Sequence, residues 1–126
     1  MNFYLLTAGT LAAAVAFLHS YLGERYILIR LFRRPDLPHL FGDDVFTKRT
    51  LRFGWHLTSI AWLGFGVLLF LAAWGPTPEV TVRYSLAVVQ WTFLLTAAVA
   101  FLASRGRHLS WVLFLGIAVA SWLGSR

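Results

Sequence analysis

The chain has 126 residues, 59% of them hydrophobic and only 13% charged, with a mean hydropathy of +0.70. That balance argues against a soluble domain, whose solvated surface needs more polar residues. The absence of cysteine excludes disulfides, thiolate metal sites and thiol redox chemistry. The net charge of +6 and pI near 10.8 do not point to nucleic acid, because the basic residues sit at the borders of the apolar runs, where membrane orientation accounts for them.

Four apolar runs follow one another, roughly Phe3 to Tyr21, Leu51 to Trp74, Val82 to Ala103 and Leu109 to Leu123. Each is near the ~20 residues that a helix needs to cross ~30 Å of hydrocarbon. None alternates apolar with polar residues, and all are rich in Ala and Leu, which disfavours strands. The expected fold is all-α: a single integral membrane domain over 1–126, a four-transmembrane-helix bundle of antiparallel up-down hairpins.

The first helix is expected over about 3–29. It lacks a basic leader and a convincing cleavage site before Arg25, so it reads as a membrane helix and not a signal peptide. Ala8, Ala12, Ala16 and Ser20 recur at four-residue spacing, a stripe that lets a neighbouring backbone come close. A cytoplasmic loop is expected over 30–47. Its "RRPDLPHLFGDD" (33–44) ends in Asp43 and Asp44, either of which can cap a helix running into Lys48. Arg30, Arg33, Arg34, Lys48 and Arg49 are candidate contacts for anionic lipid headgroups; a gating or partner-docking loop is the alternative.

The second helix is expected over about 50–74. A tight connection, "GPTPEVT" (75–81), leads to the third, about 82–103, which carries Thr96, Ala100 and Ser104 at four-residue spacing. After "SRGRH" (104–108) the fourth runs over about 108–124, with Gly116, Ala120 and Gly124 similarly spaced. These stripes suit packing within the chain or an oligomer seam. "AAVAFLHS" (13–20) echoes "AAVAFLAS" (97–104), as a duplicated hairpin would; the second copy has Ala103 in place of His19.

Arg25, Arg30, Arg33, Arg34, Lys48, Arg49, Arg52, Arg105 and Arg107 fall on one side of the apolar runs, and Arg83 and Arg126 on the other. Nine against two places both termini outside the cytoplasm, in a bacterial-type inner membrane. Trp55 and Trp111 then mark the inner interface and Trp74 and Trp122 the outer one. Trp62 and Trp91 lie deeper, as packing residues or as an aromatic wall beside a cofactor or lipid. Gln90, Thr92 and Ser121 are single polar residues of the kind that bond a neighbouring helix's backbone.

The candidate site is "HSYLGERY" (19–26) with its counterpart on the second helix. Antiparallel pairing brings Glu24 to the depth of Arg52, and His19 to that of His56 and Ser59. Arg52, His56 and Ser59 share one helical face. His19 and Glu24, five residues apart, are turned roughly 140° from each other in an α-helix, so Ser20 and not His19 shares Glu24's stripe. The cluster His19, Ser20, Glu24, Arg52, His56 and Ser59 supports several readings. It can be a structural knot, with Glu24 neutralising Arg52, or a proton or ion site in which Glu24 or His19 titrates. It can hold a b-type haem between His19 and His56, or a divalent metal on His19, Glu24 and His56, with His108 as a further ligand. No catalytic triad order, HExxH or phosphate-binding glycine loop is present, so no catalytic residue is assigned and an enzyme is disfavoured.

The expected function is an oligomeric transporter or channel-like protein, since four short helices enclose little volume alone. The alternative is a haem- or metal-carrying or purely structural accessory subunit of a membrane redox complex. Its expected partners are the lipid bilayer with anionic headgroups and a second copy or a membrane complex. In size it is similar to small multidrug transporters, small fluoride channels and accessory subunits of respiratory complexes. No residues carry over from them, and Glu24 ends a helix where the transporters' glutamate lies mid-helix.

Overall fold

Asn2 starts the first helix by accepting the amides of Tyr4 and Leu5 at 3.0 and 3.3 Å, which supplies partners for two otherwise unpaired N–H groups. A computed structural model describes residues 1–75 and 77–125. Helix α1 spans Phe3–Leu31, but not uniformly. It is α-helical through Leu22, widens into a π-helix over Gly23–Leu28, and closes in a short α-helical end, Ile29–Leu31.

Helix α2 spans Val45–Ala73 and so begins before residue 50. Asp43 accepts the Val45 amide at 3.0 Å, while Asp44 pairs with Lys48 at 2.6 Å one turn on. Helix α3 spans Pro78–Ser104, with proline in the first turn, where its missing N–H costs nothing. Its far end closes through Arg105 and Gly106, both at positive φ, and the Gly106 amide donates back to the Phe101 carbonyl at 2.8 Å. Helix α4 spans Ser110–Leu123.

Helices α1, α2 and α3 are long and apolar enough to cross a membrane. At 1.5 Å per residue, the 14 residues of α4 reach only about 21 Å, short of the ~30 Å of hydrocarbon. The expectation of four full spans therefore reduces to three with a shorter fourth. Large apolar side chains cover the outside; Leu113 is 70% exposed and Trp91 69%. Contiguous apolar surface of this kind needs lipid or protein against it. The chain is an all-α integral membrane protein.

The helices run antiparallel in chain order. The Asn2 amide donates to the Ala73 carbonyl at 2.7 Å, tying the start of α1 to the end of α2. Further along, Gly9 and Gly66 face each other so closely that a Cβ on either would come within 3.1 to 3.3 Å of the other's carbonyl oxygen. Gly64 meets Thr92 between α2 and α3, and Gln90 donates to the Ser121 carbonyl at 3.1 Å between α3 and α4.

Among the described residues, no Cα of α1 comes within 8 Å of α3 or α4, nor any of α2 within that distance of α4. The helices are packed serially, each backbone against its chain neighbours, and the row is not closed into a ring. Thr96, Ala100 and Ser104 are buried, as the small-residue stripe on the third helix suggests. On α4 the buried small residue is Ala118; a Cβ on Gly116 would meet nothing, and Ala120 is exposed. That stripe lies on an open face.

The basic end of the row is a folded cap. Phe41, at φ 63°, turns with Gly42 so that Leu40 pairs with Asp43 through a 2.9 Å backbone bond, and Thr47 donates to the Pro38 carbonyl at 2.7 Å. Arg107 lies over the Phe41 ring at 4.6 Å, and His108 stacks on Phe46 at 6.1 Å, so the first and third connections touch. Arg34 forms a two-pronged ion pair with Asp36 at 2.6 and 2.8 Å. Those hydrogen bonds hold the Asp36 carboxyl below the usual aspartate range and raise the Arg34 guanidinium. Two candidate headgroup residues, Arg34 and Lys48, therefore already have carboxylate partners. Arg126, counted toward the opposite side, and Pro76 of the second connection lie outside the described residues.

Candidate functional site: a polar string between α1 and α2

Gly23 is where the site begins. A Cβ there would collide with the indole nitrogen of Trp55, so the ring of Trp55 lies directly against the α1 backbone. From that position the indole N–H donates to the His19 carbonyl at 3.1 Å. The same carbonyl also accepts the Gly23 amide at the head of the π-helix. The Trp55 ring stacks on the His19 imidazole at 4.6 Å, nearly parallel at 3°, and Trp62 meets that imidazole edge-on at 4.8 Å. The tryptophan expected at the inner interface thus turns its ring toward α1. It is packed into the site.

From the basic end inward, Arg52 grips Glu24 with two nitrogens, Nη2 to Oε1 at 3.0 Å and Nε to Oε2 at 3.2 Å, while its guanidinium lies over Phe32. Glu24 Oε2 is 3.4 Å from His56 Nε2. The other nitrogen of the same ring, Nδ1, is 2.9 Å from the Ser20 hydroxyl. Ser20 and Ser59 share a 2.9 Å hydroxyl bond, and Ser59 is 3.1 Å from His19 Nδ1. Exposure falls along this path, from 49% for the Arg52 side chain through 33% and 29% for Glu24 and His56 to 5% for Ser59. All six residues of the candidate cluster form one hydrogen-bonded string.

Helical phase explains who meets whom. Ser20 and Glu24, four apart on α1, meet the two nitrogens of one ring, His56. His19 sits beside their stripe and joins through Ser59 alone, apart from a longer 3.4 Å approach to Thr58. The Thr58 hydroxyl spends its proton on the Trp55 carbonyl at 2.7 Å, so toward His19 it can only accept.

The geometry also weighs the haem and metal readings. Both Nδ1 atoms turn inward onto the serine pair, so the two Nε2 atoms lie on opposite outer edges, one of them on Glu24. A shared axial pair for haem would require prising the serines apart. Among the described residues, no group of three His, Cys, Asp or Glu side chains is placed to hold a metal ion. His108 is elsewhere, between Phe46 and Phe53 and bonded to Ser110. The echoed motif does not repeat the arrangement: Ser20 reaches across to α2, whereas Ser104 turns back on the Ala100 carbonyl at 2.6 Å.

Gly23, Trp55, Thr58 and Trp62 are the neighbours that spacing arguments passed over. The signal available for them was glycine one residue before the glutamate, facing a tryptophan one residue before the histidine. No family model, curated protein or solved structure matches the chain.

Proposed function

We propose that this membrane protein handles protons, with the string from Glu24 to His19 as its working part. The observation that supports this is continuity: four hydrogen bonds of 2.9 to 3.4 Å join a carboxylate at the basic end to an imidazole flanked by two indoles. Such a string has two arrangements with neutral imidazoles, the first of which also suits the Thr58 acceptor beside His19 Nδ1. In one, Glu24 is ionised, His56 carries its proton on Nε2, and the donors run from His19 Nδ1–H through Ser59 and Ser20 to His56 Nδ1. In the other, Glu24 is protonated, every bond points the other way, and His19 carries its proton on Nε2. Passing from the second arrangement to the first moves one proton along each bond. The net result is transfer from the Glu24 carboxyl to an acceptor at His19 Nε2.

Arg52, paired with Glu24, closes the string at the basic end. The string does not cross the membrane; beyond His19 the α1–α2 contact is made by Ala16, Gly9 and Gly66. A proton-linked transporter or channel built on it therefore needs a second path, for which a second copy of this chain is the simplest source. In this reading the basic end faces the cytoplasm of a bacterial-type inner membrane, with both termini outside. Arg30, which lies over the Tyr26 ring at 5.9 Å, and Arg33 and Arg49 have no carboxylate partner among the described residues and suit anionic headgroups.

The test is the tautomer of His19, read by nitrogen NMR on histidine-labelled protein. As Glu24 takes up a proton, the His19 proton should move from Nδ1 to Nε2. Ser59→Ala should abolish that response while leaving His19 in place. A His19 tautomer indifferent to Glu24 in the unmodified chain would refute the string.

A further inference from the structure

His19 has one nitrogen left over. Its Nδ1 is engaged by Ser59 and Thr58, but Nε2 has no hydrogen-bond partner among the described residues and is not sealed from the outside. The imidazole lies on the wall of a shallow groove of about 290 Å³ between α1 and α2, lined also by Leu18, Leu22, Ile27, Trp55 and Trp62. The groove opens sideways, toward what would be lipid. A polar atom on such a wall is costly without a partner, and acyl chains offer none.

We infer that this groove binds the head of a lipid-soluble quinone, with His19 Nε2 bonded to one ring oxygen. Four features favour that class. The volume is at the small end of the ~300–1,000 Å³ of small-molecule sites, which suits a single ring. Its walls are apolar, and two of them are flat indoles that suit an aromatic face. The lateral opening lets an isoprenoid tail remain in the bilayer. The fourth feature rests on the proton string: its two arrangements offer the two complements that one such ligand needs. With Nε2 protonated, His19 donates to a quinone carbonyl; with Nε2 bare, it accepts from a hydroquinone hydroxyl. A lipid tail offers neither partner, and a sterol hydroxyl, which can meet either state, brings no flat ring for the indoles.

The experiment titrates 2-decyl-1,4-benzoquinone into the full chain in detergent, labelled with nitrogen-15 at histidine. His19 Nε2 should shift saturably, while His39 in the exposed first connection should not. Saturable quenching of tryptophan fluorescence should accompany the shift and weaken about tenfold in His19→Phe, as loss of one hydrogen bond in an apolar site implies. Should that variant fail to fold, Leu22→Trp fills the groove with His19 retained and should weaken quenching at least as much. Decylbenzene has the tail without the oxygens and should leave His19 unmoved. An equal shift with decylbenzene, or quenching that rises linearly without saturation in both variants and the parent chain, overturns the site and leaves simple partitioning into the micelle. The His19 tautomer read on the same sample keeps the two readings apart. A saturable shift without coupling to Glu24 sinks the string alone, and coupling without a shift sinks the quinone site alone.

Discussion

Gly23 carries more of the site than its missing side chain suggests. Any β-carbon there meets the Trp55 indole, which must then leave the His19 carbonyl and the face of the His19 ring. Gly23→Ala is expected to destabilise the protein by about 1–3 kcal/mol, the usual cost of overpacking, measured by denaturant unfolding in detergent. Trp55→Leu in the same chain should recover part of that loss; if the double variant is no more stable than Gly23→Ala alone, the clash is not the cause. The Arg52–Glu24 pair is a second residue-scale case. Both partners keep substantial solvent contact, so a double-mutant cycle of Arg52→Leu and Glu24→Gln should show a coupling of only about 0.5–1 kcal/mol. Strict additivity would mean that the two residues do not meet in solution. The meeting itself was legible from depth alone, since antiparallel helices bring residue 24 opposite residue 52. Trp55 was not legible in the same way. Tryptophan near a basic border reads as an interfacial anchor, and only the glycine opposite shows that its ring turns inward.

At the scale of elements, hydropathy located the helices because each run is long and unbroken. It could not locate the π-helix over Gly23–Leu28, since six residues with i to i+5 bonds leave no periodic trace among apolar neighbours. Nor did hydropathy show that α2 begins at Val45, because Thr47, Lys48 and Arg49 are polar; the capping aspartates Asp43 and Asp44 pointed to that start, and the Asp43–Val45 bond and the Asp44–Lys48 pair hold the first turn. The cap at the basic end makes an element-scale prediction. Asp36 is held below the ordinary aspartate range by Arg34, so the pairing is complete above that range and is lost as pH falls through the lowered value. Carbon NMR of the Asp36 carboxyl should show a depressed midpoint that returns to the ordinary range in Arg34→Gln. An unchanged midpoint would mean that the pair does not form in solution.

The whole molecule is three long helices and a short one in chain order, with most basic residues gathered at one end. If that end is cytoplasmic, a reporter that is active only in the cytoplasm should be silent when fused after Arg126, and robust activity there would invert the orientation. Colour is a second whole-molecule test. The outward-turned Nε2 atoms predict that the purified chain lacks a haem Soret band, and a band lost in His19→Ala or His56→Ala would restore the accessory-subunit reading. Serial packing has a further effect, on how the protein is made. Contacts between chain neighbours can form as each segment emerges, without waiting for a distant partner. When Ala73 has left the ribosome, every donor and acceptor from Arg52 to His19 already exists, within one hairpin. The later helices then join an already assembled hydrogen-bonded string, and a chain interrupted in the second connection would be born with that string complete and only the α2 flank uncovered.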